Sequence, residues 1–246
     1  MANWQDPRPT GVSAATVSVP RAARDAGLRS YMLSVYNYMA SGVLLTGIVA
    51  LLFAPYAREV ILSASGRGMS PLGWIITLSP LAFVFAMSFG VNRMKTGTLQ
   101  ILFWGFATVM GLSMSTLFLA YTGVSIAQTF FATAAAYVGL SLYGYTTKRD
   151  LSGIGTFLIM GVVGLLVAML INLFLQSGTM ALVISGIGVL LFAGLTAYDT
   201  QRIKSMYDYV AGTDMVGKVV IMGALNLYLD FINMFQFLLY FMGDRR

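Results

Sequence analysis

Asn226-Leu227-Tyr228-Leu229-Asp230-Phe231-Ile232-Asn233 decides how this chain is read. Asp230 is the one charge between Val219 and Gly243. A run of that length crosses a bilayer as a helix. A carboxylate inside such a segment costs a few kcal/mol or more, so it faces a partner or a water-filled cavity. Asn226, Asp230 and Asn233 are spaced i, i+4, i+7 and form one polar stripe, with Gln236 near its extension. A second carboxylate closes the sequence Gly194-Leu195-Thr196-Ala197-Tyr198-Asp199, at the end of an uncharged stretch that includes Thr156–Tyr198. Two acids in neighbouring apolar segments point to a site that responds to protons or cations.

Working outward, the rest of the chain is also lipid-compatible. Its 246 residues are 58% hydrophobic and 10% charged, with mean hydropathy +0.79. A soluble domain carries about a quarter charged residues. Seven apolar runs fall at Tyr31–Ala54, Leu72–Val91, Thr98–Tyr121, Ser125–Tyr145, Gly155–Leu175, Thr179–Tyr198 and Val219–Met242. They are too long and too continuously apolar for barrel strands, so the expected fold is an all-α polytopic bundle of seven transmembrane helices. Residues 1–29, polar and rich in Pro and Arg, read as a flexible cytoplasmic tail, with a short basic helix allowed near 20–30; residues 30–246 form the membrane domain. The tail lacks the apolar core and cleavage site of a signal peptide. The short link between runs three and four predicts a tight antiparallel pair. Pro80 predicts a kink in the second helix. Many of the 26 glycines lie within the runs, where small residues let helices approach closely. No internal repeat is evident, which argues against an inverted-repeat transporter.

Loop charges give an orientation. With the N-terminus inside, eleven basic residues lie on the inner side and four on the outer, so the C-terminus falls outside. Arg245-Arg246 oppose this arrangement; a re-entrant last run would return the C-terminus to the cytoplasm. The formal charge of +6 is scattered through short loops, so it marks topology rather than a nucleic-acid surface. Cysteine and histidine are absent. Disulfides, thiol nucleophiles, Cys/His metal centres, Ser-His triads and histidine switches are thereby excluded. No nucleophile–base set or cofactor loop emerges, so the expectation is a non-enzyme with no tightly bound cofactor. The stripe offers oxygen ligands, which suit hard cations such as Ca²⁺. Two carboxylates and a few amides make a weak, transient site rather than a storage cage.

Each acid has alternatives. Asp199 is followed by Arg202 and Lys204, so it reads equally as an interfacial ion pair. Arg93 and Lys95 end the second helix on the same side, which allows an Arg93–Asp199 pair or two plain topology markers. Tyr198-Asp199 matches half of an intramembrane aspartyl protease signature, but Asp230 follows Leu227-Tyr228-Leu229 instead of Gly-x-Gly. Lys148-Arg149-Asp150-Leu151-Ser152 reads as a loop with an N-cap for the fifth helix.

Three segments carry a resemblance: Leu142–Ser152, Gly194–Lys204 and Leu227–Asn233. Together, and in this order, they resemble the Bax inhibitor-1 family in its bacterial inner-membrane branch. The resemblance covers about Tyr31 to Arg246. It implies a seven-helix bundle with the last helix at its centre. It further implies a pH-sensitive Ca²⁺ leak in which Asp199 and Asp230 match the family's paired aspartates and Arg93 matches a second-helix arginine that holds the closed state. Some bacterial relatives instead associate with a membrane-bound AAA protease and modulate it. Eukaryotic members are linked to suppression of cell death. A non-conducting protease modulator and a proton-coupled transporter therefore stand beside the leak.

Two adjacent buried carboxylates do not both ionise readily, so a shared proton is expected, while a nearby arginine favours the ionised form. The run boundaries oppose contact. Measured from the outer ends, they set Asp199 and Asp230 ~12 Å apart in depth. Contact then requires a displaced helix or a tilt.

Overall fold

The computed structural model describes residues 21–63 and 68–245. Residues 1–20 of the expected tail, Arg67 and Arg246 lie outside them. The elements are α1 (Arg21–Ile61), α2 (Pro71–Gly90), α3 (Thr96–Met114), α4 (Leu117–Ala120), α5 (Gly123–Thr146), α6 (Ser152–Leu175), α7 (Gly178–Val210) and α8 (Val216–Met242). With α4 as a one-turn continuation of α3, seven helical segments are long and apolar enough to cross a membrane. The chain is an all-α polytopic membrane protein.

The helix ends follow local chemistry. Ser70 caps α2 by accepting from the Gly73 amide, and Pro71 occupies the first turn, where its missing N–H is no loss. α2 continues through the buried Pro80. Between α3 and α4, Ser115 and Thr116 donate their hydroxyls to the carbonyls of Leu112 and Ser113. Thr122 caps α5 and Ser177 caps α7. Ahead of α6, the Ser152 hydroxyl and then its amide, which donates to the Asp150 carboxylate at 2.9 Å, hold the Asp150 pKa below the usual carboxylate range.

Two helices exceed their apolar runs. α1 begins at Arg21, so the boundary drawn at residue 29 falls inside a helix, and it runs on through Pro55 to Ile61. α7 continues eleven residues beyond Asp199. The two extensions support each other. Arg24 pairs with Asp208 at 2.6 Å, the Tyr31 and Tyr207 rings meet at 5.4 Å, and the Tyr31 hydroxyl donates to the Ile203 carbonyl. Contact between helices, not hydropathy, sets these lengths.

α8 is the axis of the bundle. It packs against α7, α1, α5 and α3 and is the most enclosed of the spans. Tyr228 is fully buried, with its hydroxyl 2.6 Å from Thr46 and the rings of Phe103 and Phe106 set edge-on against it. α8 crosses the whole bundle. It starts beside the end of α7, and its C-terminus meets the α4–α5 link, where Asp244 accepts from the Thr122 amide and donates its own amide to Ser125. The re-entrant alternative is absent, and Arg21 and Arg245 lie at opposite ends. The expected tight pair of runs three and four is corrected. α3 lies against α1 and α2, whereas α5 lies against α7 and α8. A short loop joins these two helices, yet they splay because the central helix claims a face of each.

Candidate functional site

The α7–α8 hairpin brings the two acids together. Its turn spans 211–215, and Gly212 takes φ +77°, a left-handed conformation that favours glycine. Asp199 lies eleven residues before Val210 and Asp230 fourteen after Val216, or ~16 and ~21 Å from the turn. The depth mismatch expected from the outer ends is removed because those ends are not level: Gly188, ten residues into α7, meets Phe237, five residues before the end of α8, so α7 overhangs α8 there. The two carboxyls come within hydrogen-bonding reach of each other. Ionised carboxylates only accept, so this contact is a hydrogen bond only when one of them carries a proton.

Asp230 is 4% exposed, and its Oδ2 has no hydrogen-bond partner among the described residues. Asp199 is half-buried. Around them the helices present hydroxyls. Thr196 and Thr200 of α7 are fully buried, and Thr196 bonds back to the Phe192 carbonyl. Tyr36 of α1 stands 3.5 Å from Thr200. α5 contributes Tyr137, whose ring meets that of Phe231, the residue after Asp230, at 5.5 Å. The Tyr137 hydroxyl and the Ser141 hydroxyl one turn on are both buried and near each other, and neither makes a well-formed hydrogen bond among the described residues.

Tyr137 and Ser141 are site residues that the sequence reading missed. Their signal is present: Ser125, Thr129, Thr133, Tyr137 and Ser141 recur every fourth residue and form the buried face of α5. Gly144 holds that face against α7, since a Cβ there would strike the Ala197 carbonyl oxygen.

Arg93 is not brought to the pair. It is exposed in the 91–95 turn, and α2 packs on α3 and α1 rather than on α7. No Arg93–Asp199 bridge forms, and Arg24–Asp208 is the salt bridge among the described residues. The cation whose charge bears on Asp199 is Arg202, one turn further along α7. Lys204, expected beside it, donates to the Tyr145 carbonyl and lies over the Tyr145 ring.

The polar stripe of α8 divides. Asn226 is half-buried. Asn233 turns its amide to the Leu229 carbonyl at 2.8 Å. Asn233 and Gln236 line a cavity of about 510 Å³ with Asn172, Gln176 and Ser185, towards the end of the bundle opposite the α7–α8 turn. Among the described residues, no group of three or more His, Cys, Asp or Glu side chains gathers to hold a metal.

Comparisons with known proteins agree in kind. Residues 28–246 match the family model described as "Inhibitor of apoptosis-promoting Bax1". An uncharacterized protein of Rickettsia prowazekii is 49% identical over 90% of this chain and 92% of its own length. One from Caulobacter vibrioides is 44% identical over 90% and 91%. The inner membrane protein YbhL of Escherichia coli is 43% identical over 90% and 94%.

Proposed function

The chain belongs to the Bax inhibitor-1 family, and from that premise we propose that it is a proton-sensitive Ca²⁺ leak of the bacterial inner membrane, governed by Asp199 and Asp230. The observation that carries this reading is a carboxylate at the bundle axis with one oxygen unpartnered and a second carboxylate beside it. A buried acid of purely structural use has its acceptors satisfied. Asn233 and Gln236, with Asn172, Gln176 and Ser185, give an otherwise apolar cavity a polar wall, which supports an ion route along α8.

The pair works through charge. With one shared proton it carries a single negative charge, and the hydrogen bond ties α7 to α8. Loss of that proton sets two like charges together, which costs about 4 kcal/mol at roughly 4 Å and an effective dielectric near 20. A divalent cation relieves that repulsion, and the amide oxygens and water complete a loose, exchangeable coordination. Arg202, one turn along α7, adds a positive charge beside the pair. Calcium is the cargo of the site, not a resident cofactor. The end bearing Arg24, Arg29, Arg93, Lys148, Arg149, Arg202 and Lys204 faces the cytoplasm in this reading, with the N-terminus inside and the C-terminus outside.

Calcium release from loaded proteoliposomes, followed between pH 6 and 8, tests the proposal. The unmodified chain is expected to show a pH-dependent leak. Asp230→Asn and Asp199→Asn are each expected to reduce it by about tenfold, the effect of roughly 1.4 kcal/mol, and to flatten its pH profile. No flux from any of the three proteins favours the non-conducting protease modulator. Flux unchanged by both substitutions removes the aspartates from the mechanism.

A further inference from the structure

Three buried polar atoms near the axis lack partners: Asp230 Oδ2, the Tyr137 hydroxyl and the Ser141 hydroxyl. Each such group costs about 1–3 kcal/mol if left dry. They come from two helices and lie in one region, because the Tyr137 ring packs on Phe231, next to Asp230, and Ser141 follows Tyr137 one turn along α5. Beside them lies a cavity of about 660 Å³ between α1 and α5, lined by Arg29, Leu33, Tyr36, Tyr137, Ser141 and Tyr145. α1 and α5 both pack on α8 without closing on each other, which leaves this cleft. Ser141 lies five residues and Tyr137 nine residues from the end of α5, or ~8 and ~14 Å inward from the basic end. Exposed Arg29 sits at its mouth.

We propose that the α1–α5 cleft is a side entrance for water, and with it protons, that leads from the basic end past Ser141 and Tyr137 to Asp230. This deepens the leak reading and rests on Asp230 being its proton-binding group. Water is the occupant because this otherwise apolar cleft ends at the Tyr137 and Ser141 hydroxyls, with Asp230 Oδ2 unpartnered behind them, and an internal water needs two to four such partners. A fixed guanidinium at the mouth disfavours divalent cations there, whereas a chain of waters still passes protons. The groups around Asp230 are consistent with a proton path. Asp199 faces it from α7 and Tyr137 from α5, Tyr36 of α1 faces Tyr137, Arg202 acts on Asp199, and α3 contributes no charged group.

The chain has no cysteine, so a single introduced thiol reports its own surroundings. The full chain bearing Ser141→Cys is reconstituted in phosphatidylcholine nanodiscs and treated with a membrane-impermeant sulfonatoethyl methanethiosulfonate. Gly139→Cys is the control, since it points to open space on the exposed face of the same helix. Reaction needs the thiolate, which an apolar setting suppresses, so Ser141→Cys is expected to react at least ~10-fold faster. Equal, slow rates in two folded proteins overturn the proposal. Should Ser141→Cys fail to fold, hydroxyl-radical footprinting of the unmodified chain decides. Tyr137 is then expected to oxidise at least ~10-fold faster than Tyr228, which is also buried but bonded to Thr46, and equal protection of both overturns it. Neither readout depends on calcium flux, so failure here is distinct from failure of the leak.

Discussion

At the scale of single residues, Asp230 is defined by what it lacks. Its Oδ2 is buried without a donor, so ionised Asp230 destabilises the fold unless water or a proton reaches it. Asp230→Asn keeps the shape and removes the charge. We predict that this variant melts at or above the temperature of the unmodified chain in detergent, by about 2–4 °C for each kcal/mol relieved. A fall of the same size would make Asp230 one half of a structural pair. Sequence alone exposed both aspartates because an isolated charge in an apolar run is conspicuous. It misplaced Arg93, since a basic residue at a helix end fits any helix that ends on that side. It passed over Tyr137 and Ser141 because hydroxyls are cheap in apolar helices, and only their fourfold spacing marks them.

At the scale of elements, hydropathy located all seven spans but not where the helices stop. α1 and α7 run on because Arg24, Tyr31, Tyr207 and Asp208 join them beyond the apolar zone. The site is decided at the other end of α7, which overhangs the end of α8, as Gly186 and Gly188 against Phe241 and Phe237 show, and so brings Asp199 level with Asp230. The pairing of α3 with α5 was misread for a related reason. Loop length constrains the ends of two helices and not what lies between them. The α5–α7 contact carries its own prediction. Gly144→Ala drives a methyl against the Ala197 carbonyl and is expected to cost about 1–3 kcal/mol in thermal unfolding. Gly139→Ala meets nothing within 4 Å and is expected to stay within about 0.5 kcal/mol of the unmodified chain. Equal effects would mean that α5 is not held against α7 at Gly144.

At the scale of the whole molecule, the seven spans set Arg24 and Asp244 at opposite ends of the bundle, and most basic residues of the described loops collect at the end of Arg24. Single thiols test this in intact cells. Asp244→Cys is expected to react with an impermeant maleimide added outside, and Asp214→Cys, in the 211–215 turn, only after the membrane is opened. The reverse pattern would invert the bundle. The leak, its pH response and the side entrance all depend on one proton held between two acids at the bundle axis. Infrared difference spectroscopy of the membrane-reconstituted chain near neutral pH reads that proton as the C=O stretch of a protonated carboxyl. The account predicts such a band in the unmodified chain, shifted on exchange into D₂O and lost in Asp230→Asn. A spectrum without it, or a band that survives in Asp230→Asn unchanged, would contradict the shared proton.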